Sequence, residues 1–123
     1  MLLYAAELLE AKNIELKAEI IPQVEQLKFS MQQRHDLYLI FKEAINNIAK
    51  HSKAKQVMIN FNLNTQILNM IIADDGKGFD ASAPLVNNGL KNMNERANKH
   101  QWQLTVRSGQ NAGTTIMLNA PIA

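Results

Sequence analysis

Two stretches of alternating apolar residues, joined by a turn, constrain this chain most. Val57, Ile59, Phe61 and Leu63 alternate with Met58, Asn60 and Asn62, and beyond a turn near Asn64 and Thr65 the same period resumes through Leu68, Met70 and Ile72. A period of two sends successive side chains to opposite faces, so the pair predicts a β-hairpin with one apolar and one wet face. The second strand runs on into Ile71-Ile72-Ala73-Asp74-Asp75-Gly76-Lys77-Gly78-Phe79, apolar residues followed by two carboxylates and two glycines spaced by one. Asp74 is therefore expected at the mouth of a core pocket, where a carboxylate is costly unless something hydrogen-bonds to it. Gly76 and Gly78 remove Cβ atoms where the backbone must turn sharply or lie against another molecule. Taken alone, these nine residues favour a plain strand-to-loop turn, since Asp-Gly is common turn punctuation. The case for a site comes from their surroundings.

The rest of the chain supplies partners for that hairpin. Residues 1–12 carry Leu2, Ala6 and Leu9 on one helical face, and Asn13 is a stop signal. Residues 15–20 alternate, with Leu16, Ala18 and Ile20 on one side of a strand and Glu15, Lys17 and Glu19 on the other; Pro22 ends it or marks an edge. Ser30-Met31-Gln32-Gln33 reads as a capping box opening a helix to about Lys50 or His51, with Leu37, Ile40, Phe41, Ala44, Ile45 and Ile48 as its apolar stripe. After an irregular segment with Pro84, a second amphipathic helix is expected near residues 90–99, carrying Leu90, Met93 and Ala97 inward. Trp102, Leu104 and Val106 then alternate as a strand, a turn covers residues 109–113, and residues 114–119 form the last strand. About five strands and about three helices, with each sheet face half apolar, predict an α+β fold: a two-layer sandwich with helices on one side only. With 123 residues and no internal repeat or linker, a single domain over 1–123 is expected.

Composition narrows the function. The net charge of +2 and pI near 9.0 reflect a slight lysine excess and not a basic stripe, which argues against nucleic acid as a partner. The absence of cysteine excludes disulfides and thiolate metal sites. No apolar run approaches the ~20 residues of a membrane span. The Met1-Leu2-Leu3 start lacks a charged leader and cleavage site, so a cytoplasmic location is the default expectation, whether the chain stands alone or is the cytoplasmic part of a membrane-anchored protein.

On the long helix, Glu43, Asn47 and Lys50 are spaced i, i+4, i+7 and, at 100° per residue, lie beside the apolar stripe. A carboxylate, an amide and an ammonium in a row at a cleft edge suit a metal-bound polyphosphate: Asn47 offers a neutral oxygen to Mg²⁺, Glu43 can hold a water, and Lys50 can meet a phosphate. A solvated helix face is the competing reading. Asn87-Asn88-Gly89-Leu90 opens the next helix with free amides, a natural anion site or simply a cap. Gly109-Gln110-Asn111-Ala112-Gly113-Thr114-Thr115 lacks the lysine and spacing of a Walker loop, so Gly113 is assigned to a hairpin turn that leaves Thr114 or Thr115 at the pocket rim. The three histidines, His35, His51 and His100, are read as a solvated residue, a last-turn helix residue and a surface residue.

Individually weak, these signals are ordered. Glu43-x-x-x-Asn47-x-x-Lys50-His51, then Asp74-x-Gly76-x-Gly78, then Gly89-Leu90-x-x-Met93, then Gly113-Thr114 resembles the ATP-binding domain of sensor histidine kinases, within the GHKL ATPase superfamily. The resemblance covers nearly the whole chain. The segment from Phe41 through Ser52 looks most like the nitrate-sensor and lipid-sensor kinases, whose lid is short. The resemblance implies a mixed sheet of the GHKL (Bergerat) type and the cofactors ATP and Mg²⁺. It implies that Asp74 accepts from the adenine amino group and that Gly76 and Gly78 let the loop pass the base and ribose. Asn47 would bind Mg²⁺ with Glu43 beside it as the catalytic carboxylate and Lys50 on phosphate. Gly89 and Leu90 would receive phosphate, Thr115 would touch the base side, and Phe79 would pack the lid or a docking helix. Two departures are visible: the family's lid glycine pair is reduced to Gly89, and no helix carries a phosphoacceptor histidine. The implied function is a catalytic module, monomeric when isolated, that passes the γ-phosphate of Mg-ATP to a histidine on a dimerisation helix domain outside this chain, and so indirectly to a response regulator. An anti-sigma-factor type of GHKL serine kinase and a nucleotide-gated docking module are the alternatives.

Overall fold

The computed structural model describes residues 2–77, 88–109 and 113–122. Its elements are α1 (Leu2–Ala11), β1 (Glu15–Ile20), α2 (Met31–Asn47), β2 (Gln56–Asn64), β3 (Ile67–Asp74), α3 (Asn88–Lys99), β4 (Gln103–Ser108) and β5 (Thr114–Pro121), with a short 3₁₀ turn at Pro22–Gln26 and a π-helical turn at Ile48–Ser52. The strands form one sheet in the order β1-β2-β3-β5-β4. β1 runs parallel to β2, which the chain reaches only after crossing through α2, while the remaining pairs are antiparallel. The fold is thus the expected α+β sandwich, a five-stranded mixed sheet with helices on one face.

Local chemistry explains where the elements begin and turn. Ser30 caps α2 as the sequence predicts: its Oγ accepts from the Gln33 N–H at 3.1 Å, and the Gln33 side chain accepts from the Ser30 N–H at 2.8 Å. The β2–β3 hairpin turns on Thr65 and Gln66, both at positive φ (50° and 63°), the backbone of a two-residue turn whose twist matches the strands. Asn13 ends the first helical segment at φ 58°.

The core lies between the α2 stripe and the inner face of the sheet. Leu37, Ile40, Phe41, Ala44, Ile45 and Ile48 are all buried, as are Val57, Ile59, Phe61, Leu68, Met70, Ile72, Ile116 and Leu118 opposite them. Phe41 and Phe61 meet edge to face at 6.1 Å. α3 adds Leu90, Met93 and Ala97, as its period predicts.

Three expectations change at the margins of the sheet. The buried face of α1 is Ala5 and Leu9, whereas Leu2 is 40% exposed, so the helix is rotated from the predicted Leu2-Ala6-Leu9 face. β1 does not have one dry face: it is an edge strand on which Leu16 is half-buried while Ala18 and Ile20 are exposed. Leu104 and Val106 are half-buried, because β4 is the other edge, and Leu63 is exposed at the hairpin end. An edge strand is covered by neighbours on one flank only, a consequence of strand order that a period of two cannot reveal.

Candidate functional site

β3 is the middle strand of the sheet, between β2 and β5, and it delivers Asp74 at its carboxyl end. Asp74 faces the same side as Met70 and Ile72, toward the helices. Its Oδ1 accepts from the Gly76 N–H at 2.7 Å, a turn closed by the side chain. Its Oδ2 is buried and, among the described residues, is the buried side-chain polar atom without a hydrogen-bond partner. Burial pushes the Asp74 carboxyl above its ordinary value of 3.8 and the neighbouring Asp75 charge adds to the rise, while the backbone N–H groups of Gly76 and Thr114 pull it back. A half-buried carboxylate with one lone oxygen is an acceptor awaiting a donor.

Asp75 next to it does a different job. Its Oδ1 accepts from the backbone N–H groups of Lys55 (2.8 Å) and Gln56 (2.9 Å), which pull its carboxyl below the ordinary value and tie the end of β3 to the start of β2. The paired carboxylates read from the sequence therefore split into one structural acid and one available acid.

On α2, Glu43 and Asn47 are both half-buried beside the apolar stripe. Lys50 departs from the predicted alignment. The regular α-helix stops at Asn47, and Ile48–Ser52 is wound as a π turn, so the 100° step fails over those residues; Lys50 is exposed and off the Glu43–Asn47 line. Such π turns recur at functional sites in helices.

Opposite Asp74, strand register decides which threonine belongs to the site. Thr114 pairs with Asp74 and shares the inner face with Ile116 and Leu118, whereas Thr115 pairs with Ala73 on the outer face. The register thus puts Thr114, and not the expected Thr115, on the face of Asp74; Thr114 is 7% exposed and shares a 2.8 Å hydrogen bond with the Ser108 hydroxyl. Counting back by twos from Leu118 through Ile116 in the sequence finds it. Gly113, at φ 76°, lies so close to β3 that a Cβ there would sit 2.2 Å from the Asp74 carbonyl oxygen.

α3 places Gly89 and Leu90 in its first turn, and Leu90 is buried. Gly76 is buried against Asp74; Gly78 and Phe79 lie outside the described residues. His100 is not the expected surface residue. Its side chain is 11% exposed, stacks on Trp102 at 4.6 Å and bonds Asp36 at 2.6 Å. Asp36 was legible: it stands four residues before Ile40, on the apolar stripe of α2. Among the described residues no three His, Cys, Asp or Glu side chains cluster as metal ligands, so a cation here would lean on Asn47, Glu43 and the oxygens of its own ligand. No helix among the described residues is long and apolar enough to cross a membrane.

These features define a class: an α+β sandwich with an acceptor sunk at the end of its central strand, a polar helix edge and a second helix that begins at Asn88-Gly89-Leu90. A family model described as histidine kinase-, DNA gyrase B-, and HSP90-like ATPase matches residues 32–123, and the chain belongs to that family. It is 37% identical over 87 residues to the signal transduction histidine-protein kinase/phosphatase DegS of Brevibacillus brevis, covering 70% of this chain and 22% of that protein. It is 33% identical over 112 residues to the sensor protein VraS of Staphylococcus saprophyticus, covering 90% of this chain and 32% of that one. The chain thus spans about a third or less of these relatives. The histidine kinase domain of the Erythrobacter litoralis EL346 blue-light activated kinase superposes with a TM-score of 0.80 at 16% identity, over 96% of this chain and 57% of that one. The mycobacterial sensor histidine kinase MprB does so with a TM-score of 0.71 at 20% identity, over 98% and 93%. The full-length ShkA kinase, solved in complex with AMPPNP, gives 0.78 at 18% identity, over 99% of this chain and 29% of that one.

Proposed function

We propose that residues 1–123 form a single domain, the ATP-binding catalytic domain of a two-component sensor histidine kinase of the nitrate-sensor and lipid-sensor type. The observation that carries this reading is the buried, unpartnered Oδ2 of Asp74 at the end of the central strand. An adenine amino group is the kind of donor that would satisfy it. Asp74 Oδ1 stays committed to the Gly76 N–H, so the carboxylate is already aimed before ligand arrives. The carboxylate thereby selects adenine over a purine with a carbonyl at the same position, because two acceptors would face each other.

Mg-ATP, when bound, supplies the transferable γ-phosphoryl group. The chain's own part is positioning and charge neutralisation. Asn47 offers its amide oxygen to Mg²⁺, and Glu43, one turn earlier on the same half-buried face, holds a water or the proton of the acceptor. Lys50 reaches phosphate from the exposed π turn. The first turn of α3, at Gly89 and Leu90, takes phosphate oxygens, and Thr114 closes the wall beside Asp74. The acceptor histidine belongs to a dimerisation helix domain of the parent kinase, a response regulator follows it, and the domain works in the cytoplasm.

The test mixes the purified domain with a separately made dimerisation helix pair and γ-labelled ATP. Label on the helix histidine supports the reading. Nucleotide binding without transfer to any histidine-bearing helix pair reduces it to a nucleotide-gated docking module, and no binding at all refutes it.

A further inference from the structure

β1 has β2 on one flank and, among the described residues, no strand on the other. Its bonds to β2 fix which backbone groups face which way. The Glu15 N–H donates to the Lys55 carbonyl at 2.9 Å, and at the far end the Ile21 N–H donates to the Phe61 carbonyl at 3.2 Å. Backbone groups alternate sides along a strand, so the odd-numbered residues are engaged with β2, and the N–H and C=O groups of Leu16, Ala18 and Ile20 point out of the sheet edge. The side chains of these three share the inner face with Val57, Ile59 and Phe61, yet only Leu16 is half-buried; Ala18 is exposed and Ile20 is 38% exposed. A hollow lined by Ala18, Ile20, Ile21, Pro22 and Phe61 lies beside them. Glu15, Lys17 and Glu19 alternate on the outer face, all exposed, and Asn60 Nδ2 donates to Glu19 Oε2 at 3.4 Å.

Charges on an edge strand guard it against arbitrary partners. This pattern also selects one partner, the same strand of a second copy. Antiparallel pairing centred on Ala18 puts Ala18 opposite Ala18 and Leu16 opposite Ile20, the residues whose backbone groups face outward, as hydrogen-bonded pairs. Lys17 then falls opposite Glu19 of the other copy in the closer, non-hydrogen-bonded position, and two-fold symmetry makes that contact twice. The neighbouring registers fail. Centring on Lys17 sets Lys17 against itself and Glu15 against Glu19, and centring on Glu19 sets that carboxylate against itself. Centring on Leu16 needs the Ile14 N–H, which already donates to the Leu9 carbonyl at 2.9 Å.

We propose that β1 is a self-recognition edge through which two copies of this chain join about a two-fold axis at Ala18. The two sheets become one, with the helices of both copies on the same side. Leu16, Ala18 and Ile20 of the two copies then lie side by side on the inner face, where each copy alone leaves them open. β3 with Asp74 is two strands in from the join, so the candidate site stays uncovered. The paired strands are short, so the association is weak, and it departs from the monomer expected of the isolated domain. It does not depend on the nucleotide reading.

Sedimentation equilibrium of the whole chain, carried up to about 1 mM, the weak end of specific association, tests it. The wild type is expected to enter a monomer–dimer equilibrium. Lys17→Glu and Glu19→Lys should each weaken it about tenfold or more, since each change turns two attractive contacts into two repulsive ones. The double variant carrying both changes should dimerise as the wild type does. So should an equal mixture of the two single variants, in which one copy offers acids at both positions and the other offers lysines. Ala18→Pro should stay monomeric while folded by circular dichroism, because the Ala18 N–H faces away from β2 and no bond within the sheet is lost. A wild type that remains monomeric at the highest concentration overturns the proposal. Association that persists in both single variants puts the interface elsewhere and overturns it too. So does a loss that neither the double variant nor the mixture restores. Should Ala18→Pro fail to fold, the charge exchange decides by itself.

Discussion

Oδ1 of Asp74 closes a turn, and Oδ2 of the same carboxyl is buried without a partner. That division sets opposite signs for stability and affinity. Burial makes the folded chain hold the Asp74 proton to higher pH than the unfolded chain does, so this group's contribution to stability falls as pH rises from 3.8 through its raised folded value. Asp74→Asn should therefore leave the ligand-free protein at least as stable at neutral pH and remove that slope, read by urea unfolding across the acid range. The same variant should lose about 2–4 kcal/mol of Mg-ADP affinity by calorimetry, the worth of a buried charged hydrogen bond. Gly113→Ala should cost about 1–3 kcal/mol in chemical denaturation, since a Cβ would sit 2.2 Å from the Asp74 carbonyl oxygen at a φ that suits glycine. At this scale the sequence places Asp74 at the end of its strand but does not choose between Thr114 and Thr115, because one step along a strand reverses the face and only the pairing with β3 shows which step is inward.

α2 joins the core to the candidate site. Its first turn is secured by the reciprocal Ser30 and Gln33 bonds, so Ser30→Ala should lower stability by about 1 kcal/mol, seen as a fall in melting temperature. Its far end carries Asn47 into the π turn. Asn47→Ala should remove most of the Mg²⁺ dependence of nucleotide binding while adenosine affinity stays near that of the wild type, a pattern titration with and without Mg²⁺ would show. The stripe from Leu37 to Ile48 was legible because helical spacing is a local property, set by 3.6 residues per turn. The displacement of Lys50 was not, because a π turn widens the helix without a mark in the residue pattern. The rotation of α1 onto Ala5 and Leu9 was hidden for a related reason: several short apolar residues offered two faces, and contact with β1 and α2 chose between them.

Across the molecule, Asp36 and His100 are 64 residues apart and 2.6 Å from each other. Burial pushes the Asp36 carboxyl up, but hydrogen bonds from Gln32, His100 and Lys99 outweigh it and hold the group at about 2. A depressed carboxylate stabilises the fold fully above its ordinary value of 3.8, and the contribution drains away as pH falls toward about 2. The wild type should therefore lose stability more steeply than Asp36→Asn between those values, measured as the difference between their urea midpoints at stepped pH. By itself the sequence determined the periods of the strands and helices, the capped start of α2 and the carboxylate at the end of the central hairpin strand, because each of these is written in residues a few positions apart. Tertiary structure alone decided which strands became edges, which threonine faces Asp74, and that His100 meets a buried acid. Those outcomes depend on strand order and on contacts between distant residues, and burial and charge pairing act through space regardless of separation along the chain.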